Sequence, residues 1–136
     1  MKQTLAVLVM LVCLTACGDS AGPDTEANIS GTYTLRTING QNLPFAIVVI
    51  GTTYRLEVMS ANVVVNANGS YTQSMTVRET EGSTTTTQTD ASNGTWTRTN
   101  NAISFVQTSD GAVVTGSLSG DAITVVDGSF TYVFRK

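Results

Sequence analysis

The sequence predicts an all-β fold: a single antiparallel up-and-down meander of about eight to ten strands, closed into a barrel, with a β-sandwich as the alternative. Three observations carry this. Short runs of alternating apolar and polar residues are separated by Asn-Gly, Asp-Gly and similar pairs, the strongest short-range hairpin signal a sequence holds. After Cys17 no window of helical length shows an apolar stripe, and threonine and β-branched residues dominate throughout. A meander of this length must also deal with its edges, and closure removes them.

Each element follows from its own pattern. Residues 30–38 alternate, with Tyr33 and Leu35 on one face and Thr32, Thr34 and Arg36 on the other, and Asn39-Gly40 offers a tight turn. Residues 41–45 are the one candidate for the long connection a Greek key needs, and they are few, which favours the meander. Residues 46–58 hold the run Ala46-Ile47-Val48-Val49-Ile50 and then Tyr54, Leu56 and Val58 in alternation, and residues 63–65 form a separate short strand before Asn68-Gly69. Residues 70–79 place Tyr71, Met75 and Val77 on one side, with Gln73 among them. Glu81-Gly82 punctuates, and a threonine-rich stretch, 84–89, follows. It reads first as a solvent-facing strand and second as a carbohydrate-facing or modified surface. Asn93-Gly94 is expected to turn the chain toward Trp96, and Asn100-Asn101 toward Ile103 and Phe105. Asp110-Gly111 leads to Val114 and Leu118, and Gly120-Asp121 to Ile123 and Val125. Asp127-Gly128 introduces a closing strand with Phe130, Tyr132 and Phe134 on one face.

The amino terminus carries its own signal. Lys2, an uninterrupted apolar stretch over residues 5–14 and the small residues Thr15-Ala16 form the three parts of a secretory signal. That stretch is about half of what a hydrocarbon core requires, so a permanent spanning helix is not expected. Leu14-Thr15-Ala16-Cys17 resembles the lipobox of bacterial lipoproteins. The resemblance implies cleavage before Cys17 and lipidation of that residue, with cleavage near Ala21 as the alternative. The implied organisation is a signal peptide over 1–16, a lipidated cysteine and flexible tether over 17–29, and a barrel over 30–136. Residue Gly18 follows the cysteine where an aspartate would retain an enteric lipoprotein in the inner membrane, so the outer membrane is expected.

Without residues 1–16 the chain of 136 keeps 120, enough for one domain with one core. Cys13 leaves with the signal, so the expected mature chain has neither disulfide nor free thiol. All 10 acidic residues lie after residue 16 and Lys2 is lost, so the formal charge moves from -3 to -4. An acidic chain with no basic cluster argues against nucleic acid and against a polybasic membrane patch.

The inventory of chemistry is poor, and no enzyme is expected. There is no histidine, no Cys/His spacing for a metal, and no Gly-x-Ser-x-Gly elbow; only Met59 and Met75 remain as soft metal ligands. Asp110, Asp121 and Asp127 read as solvated turn residues, and Glu79 and Glu81 as flanking a loop. No cofactor and no metal are expected. The aromatic residues fall on apolar strand faces, where they read first as core and second as the lining of a cavity. As a lining, the candidate ligand-binding residues are Tyr33, Tyr54, Tyr71, Trp96 and Tyr132.

Residues Gly31-Thr32-Tyr33-Thr34-Leu35, then Asn39-Gly40, Leu43-Pro44, Asn68-Gly69-Ser70-Tyr71, Gly94-Thr95-Trp96 and the ending Val133-Phe134-Arg135-Lys136 resemble the bacterial lipocalin-like lipoprotein domains. The chain departs from true lipocalins in carrying Tyr33 where their first strand has tryptophan, and in lacking a Thr-Asp-Tyr loop. The resemblance implies a lipocalin-like barrel, lipid-anchored in the cell envelope, that binds a small hydrophobic molecule. It also suggests a cation–aromatic contact between Arg135 and Tyr33 at the barrel base. The alternative is a structural or interaction module that presents its loops to another envelope protein.

Overall fold

The computed structural model describes residues 28–136, and the expectations for the signal peptide, Cys17 and most of the tether lie outside them. Ten strands follow in order: β1 Gly31–Ile38, β2 Gln41–Asn42, β3 Phe45–Ile50, β4 Tyr54–Val65, β5 Ser70–Glu81, β6 Thr84–Thr99, β7 Ala102–Gln107, β8 Val113–Ser119, β9 Ala122–Asp127 and β10 Phe130–Arg135. Sequential neighbours pair antiparallel from β3 to β10, β10 pairs with β1, and β1 pairs back onto β4. That last contact closes β1 and β4–β10 into an eight-stranded up-and-down barrel. The all-β meander is borne out, and closure selects the barrel over the sandwich.

The seam is a fork. The lower half of β1 faces β4, with Gly31 opposite Val65 and Thr34 opposite Asn62. Its upper half faces β2 instead, with Ile38 opposite Gln41. Strand β4 divides likewise, pairing with β1 at residues 62–65 and with β3 at residues 54–58. Leu43, Phe45 and Ile47 fill the fork and pack on the core, and the Phe45 ring meets Phe130 edge-on at 6.1 Å. Asn39-Gly40 forms the expected turn, with φ of 52° and 75°. The Asn39 backbone N–H donates to the Thr131 carbonyl and its side-chain oxygen accepts from the Thr131 N–H, which ties the turn to β10.

Two bulges keep apolar side chains inside as strands bend round the barrel. In β1 the register shifts between Leu35 and Thr37, so Tyr33 and Leu35 point inward and, one residue out of phase, Ile38 does too. In β4 the shift falls between Val58 and Ser60, and the inward set changes from Val58 to Ala61, Val63 and Val65. This corrects the sequence reading of residues 46–58 and 63–65. The chain breaks instead at residues 51–53, and one long strand runs on to Val65. The change of phase at the bulge looked like a strand end because a bulge adds a residue without ending the hydrogen-bonded ladder.

A second correction concerns Asn93-Gly94, which is not a turn. Both residues lie inside β6, with Gly94 opposite Tyr71 on one side and Gln107 on the other. A Cβ on Gly94 would stand 1.9 Å from the Val106 carbonyl oxygen and 2.8 Å from the Tyr71 ring. Glycine is required there by close approach and not by a turn.

The core contains Tyr33, Leu35, Ile38, Val58, Val65, Ile103, Ile123 and Phe134, all nearly inaccessible. Burying one such side chain fully contributes roughly 1.5–3 kcal/mol. Ile29 belongs to this core, so packed structure starts one residue before the expected boundary at Ser30. Turns alternate between two ends. The chain enters near Ile29 and leaves at Lys136 at one end, together with the turns at 66–69, 100–101 and 120–121. The opposite end carries the turns at 39–40, 51–53, 82–83, 108–112 and 128–129.

The glycine reading is checked by two variants in urea denaturation. Gly94→Ala is expected to cost about 3 kcal/mol or more, because neither backbone carbonyl nor ring can withdraw. Gly40→Ala, whose Cβ would meet nothing within 4 Å, is expected to cost about 1 kcal/mol from its left-handed φ alone. Equal costs at the two sites would sink the close-approach explanation.

Candidate functional site: the barrel cavity and its mouth

Inward positions of β4, β5 and β7–β10 converge on a cavity of about 130 Å³. Its apolar wall is Val63, Met75, Val125, Phe105 and Phe134, with Tyr71 and Tyr132 among them. Polar groups enter from the end that bears the 108–112 and 128–129 turns: Gln107 closes β7, Asp127 closes β9, and Gln73 projects from β5. Strand order explains the convergence. Gln73 and Met75 lie opposite Ser92 and Asp90 on β6, so the inner face of that strand is small and polar beside the cavity. Gly94 yields the space that the Tyr71 ring occupies, and Tyr71 stands edge-on to Phe105 at 5.0 Å. Pairing between β8 and β9 runs only from the Ser119–Ala122 end to Gly116 opposite Val125, so Val114 and Asp127 line a mouth where the two strands are not bonded.

The five residues expected to line a cavity divide. Tyr71 and Tyr132 do so. Tyr33 is instead a core residue, 1% exposed, whose hydroxyl donates to the Ile29 carbonyl at 2.7 Å. Trp96 packs on the core and its indole N–H donates to the Asn66 carbonyl at 2.9 Å, pinning the 66–69 turn and closing that end. Tyr54 sits at the start of β4 beside the 51–53 turn, far along the strand from Val63, outside the lining. The expected Arg135–Tyr33 contact is also corrected. Phe130, Tyr132 and Phe134 face inward, so Arg135 must face outward, where it meets Asp121 at 3.3 Å. Lys136 has the inward parity, and its ammonium lies 5.3 Å from the Tyr33 ring centre.

Residues missed in the sequence complete the cavity. Gln107 and Asp127 each sit beside a turn and carry no local mark of facing inward, although Asp127 continues the parity of Ile123 and Val125. Burial raises the hydroxyl pKa of Tyr33, Tyr71 and Tyr132, with Asp110 adding to the effect at Tyr71 and Asp127 at Tyr132. At Tyr54 hydrogen bonding to the Glu79 carboxylate does the same. The two cavity tyrosines are therefore neutral hydroxyl groups at physiological pH.

Two features lie outside the cavity. On the outer wall Asn62, Thr72, Ser74, Ala91 and Asn93 line a shallow polar depression with no aromatic platform. The neighbouring threonines at 84–89 are exposed along β6, and Thr76 and Thr89 share a hydroxyl hydrogen bond of 2.8 Å. Glu57, on the outer face of β4, is the buried charged residue of the described chain. Arg78 donates to its Oε2 through Nε and Nη2 at 3.0 and 2.7 Å, and Arg55 Nε lies 2.9 Å from Oε1. It locks β4 to β5 and faces away from the cavity.

Fold and cavity together define a small up-and-down β-barrel with room for one ring-sized guest. No protein-family model and no curated protein matches the chain. Among solved structures it is similar to the Cpx pathway activator NlpE from Escherichia coli, at 18% identity over 70% of this chain and 42% of that one, with a TM-score of 0.43. The chain thus spans less than half the length of that protein.

Glu57 generates a pH prediction. Hydrogen bonds from Arg78, then Arg55, hold its carboxyl below the usual glutamate range despite burial. The stability it contributes is therefore complete above the unfolded-state value of about 4.3 and is lost as pH falls through the lower folded value. Glu57→Gln should lower the urea midpoint at pH 7 and flatten its fall between about pH 5 and about pH 3. An acid limb as steep as that of the parent protein would show that the ion cluster does not couple folding to pH.

Proposed function

We propose that the protein is a non-enzymatic, lipid-anchored lipoprotein of the bacterial envelope, in the outer membrane, that holds one small apolar molecule inside its barrel. The carrying observation is the cavity of about 130 Å³ walled by Val63, Tyr71, Met75, Phe105 and Phe134. An apolar cavity of roughly 150 Å³ accepts benzene, whereas drug-sized ligands occupy roughly 300–1,000 Å³. The guest is accordingly ring-sized, and a whole acyl chain does not fit. Leu14-Thr15-Ala16-Cys17 supports the anchor. Asn28 and Ile29 stand at the end opposite the mouth, so an anchor upstream of them turns the mouth toward the aqueous side.

A second reading, an interaction module, draws on β3. That strand is an edge of the sheet, and Val49 and Ile50 on it are 56% and 62% exposed. An apolar edge is a template for strand addition by a partner protein.

Toluene titration followed by two-dimensional NMR separates the two. Shifts confined to Tyr71, Met75, Phe105 and their neighbours are expected, weakened at least about tenfold by Val114→Trp, which narrows the mouth from a half-exposed position. Absence of such shifts in the parent protein would move the assignment to the interaction module.

The anchor is checked separately. Cys17→Ser should abolish palmitate labelling and release the chain from the membrane fraction with the barrel still folded. Undiminished membrane association would refute the lipid anchor.

A further inference from the structure

The charge around the mouth has one sign. Asp127 lines the cavity, and among the described residues no lysine or arginine does. Asp110 stands in the 108–112 connection at the same end, close enough to raise the Tyr71 hydroxyl pKa. Asp90 lies opposite Met75 on the inner face of β6, where it accepts a hydrogen bond from Gln88 at 2.7 Å. The basic groups of the described chain are elsewhere, with Arg36 on the exposed, outward-facing set of β1. Lys136 lies over the Tyr33 ring at the closed end, Arg98 is near Tyr33 as well, and Arg135 is occupied with Asp121. Arg55 and Arg78 are engaged by Glu57 on the outer wall. Within the cavity the remaining polar atoms belong to Gln73, Gln107 and two neutral tyrosine hydroxyls. A bound carboxylate would therefore meet no cation and would approach Asp127 against its charge. An ammonium would find a counter-ion at the rim and aromatic faces beneath it.

We infer that the cavity selects a small organic cation, an aromatic or alicyclic amine whose ring enters between Tyr71, Phe105 and Phe134 while its ammonium rests at the mouth against Asp127. This rests on the carrier reading above and adds the charge of the guest. The cation is organic and not a metal, because among the described residues no three acidic side chains converge as a metal site. The preference arises from an exposed carboxylate, so it is moderate and depends on ionic strength.

Three matched probes separate this inference from the reading beneath it: toluene, benzylamine as its ammonium, and benzoate, each titrated into the folded protein at neutral pH and low salt. Toluene reports the cavity itself. Benzylammonium is expected to bind about fivefold tighter than toluene, and benzoate weaker, so that the two ions differ by at least about tenfold. Asp127→Asn keeps a turn-forming side chain at a solvent-exposed position. It should bring the two ions to near parity when each affinity is referred to that of toluene for the same variant. Added salt should act as the substitution does in the parent protein. If toluene binds but benzoate matches or exceeds benzylammonium, the cation preference is overturned and the carrier stands. An ammonium preference that survives Asp127→Asn equally overturns the assignment to Asp127. If no probe binds, the carrier reading fails and this inference goes with it.

Discussion

Where residues 31–34 meet residues 62–65, the first strand of the ring closes on β4, and eight strands lose their free edges at once. That short ladder brings the two halves of the chain to opposite sides of one interior. It brings Val63 of β4 and Phe134 of β10, the strands on either side of β1, into the wall of one cavity. Tyr33 anchors the ladder from inside, with its hydroxyl tied to Ile29 and its ring beneath Lys136. A barrel of eight strands has an interior just wide enough to be filled by side chains or to admit one small molecule. Which outcome prevails depends on individual side-chain volumes.

Here the closed half is filled and the other is not. Trp96, Tyr33, Ile103, Leu118 and Ile123 pack the end where the chain enters and leaves. Toward the mouth the inner wall changes character, because β6 contributes Gln88, Asp90, Ser92 and Gly94 where its partners contribute Val77, Met75, Gln73 and Tyr71. Small and polar residues cannot fill the volume that aromatic residues on β7 and β10 leave between them, and the result is a cavity with a polar rim. At the seam β1 and β4 diverge around β2 and β3 above the closing ladder, and Phe45 seals the gap against Phe130.

Much of this architecture was legible because strand alternation is a local property. Tyr71, Met75 and Val77 share one face, as do Phe130, Tyr132 and Phe134, for the simple reason that side chains reverse with each residue. Errors arose where the period was broken or where two elements met. The bulge after Val58 shifts the phase, so that one continuous strand carries the pattern of two. Gly94 read as a turn because sequence cannot distinguish a glycine needed for its dihedral freedom from one needed for the absence of a side chain. The resemblance suggests Arg135 over Tyr33, but strand parity assigns Lys136 to that ring, a distinction available from alternation alone.

What the sequence by itself determined is the class: an all-β meander whose turns, strand faces and lack of histidine follow from residue type and spacing. What only the tertiary structure decided is the site. Tyr71 and Tyr132 line a cavity while Tyr33, Trp96 and Tyr54 do not, and Asp127, to all appearance a solvated turn residue, stands at its mouth. The physical reason is that facing inward depends on one strand, whereas facing a void depends on shear, on register and on what five other strands place opposite. Those are properties of closure, and no local stretch of the chain contains them.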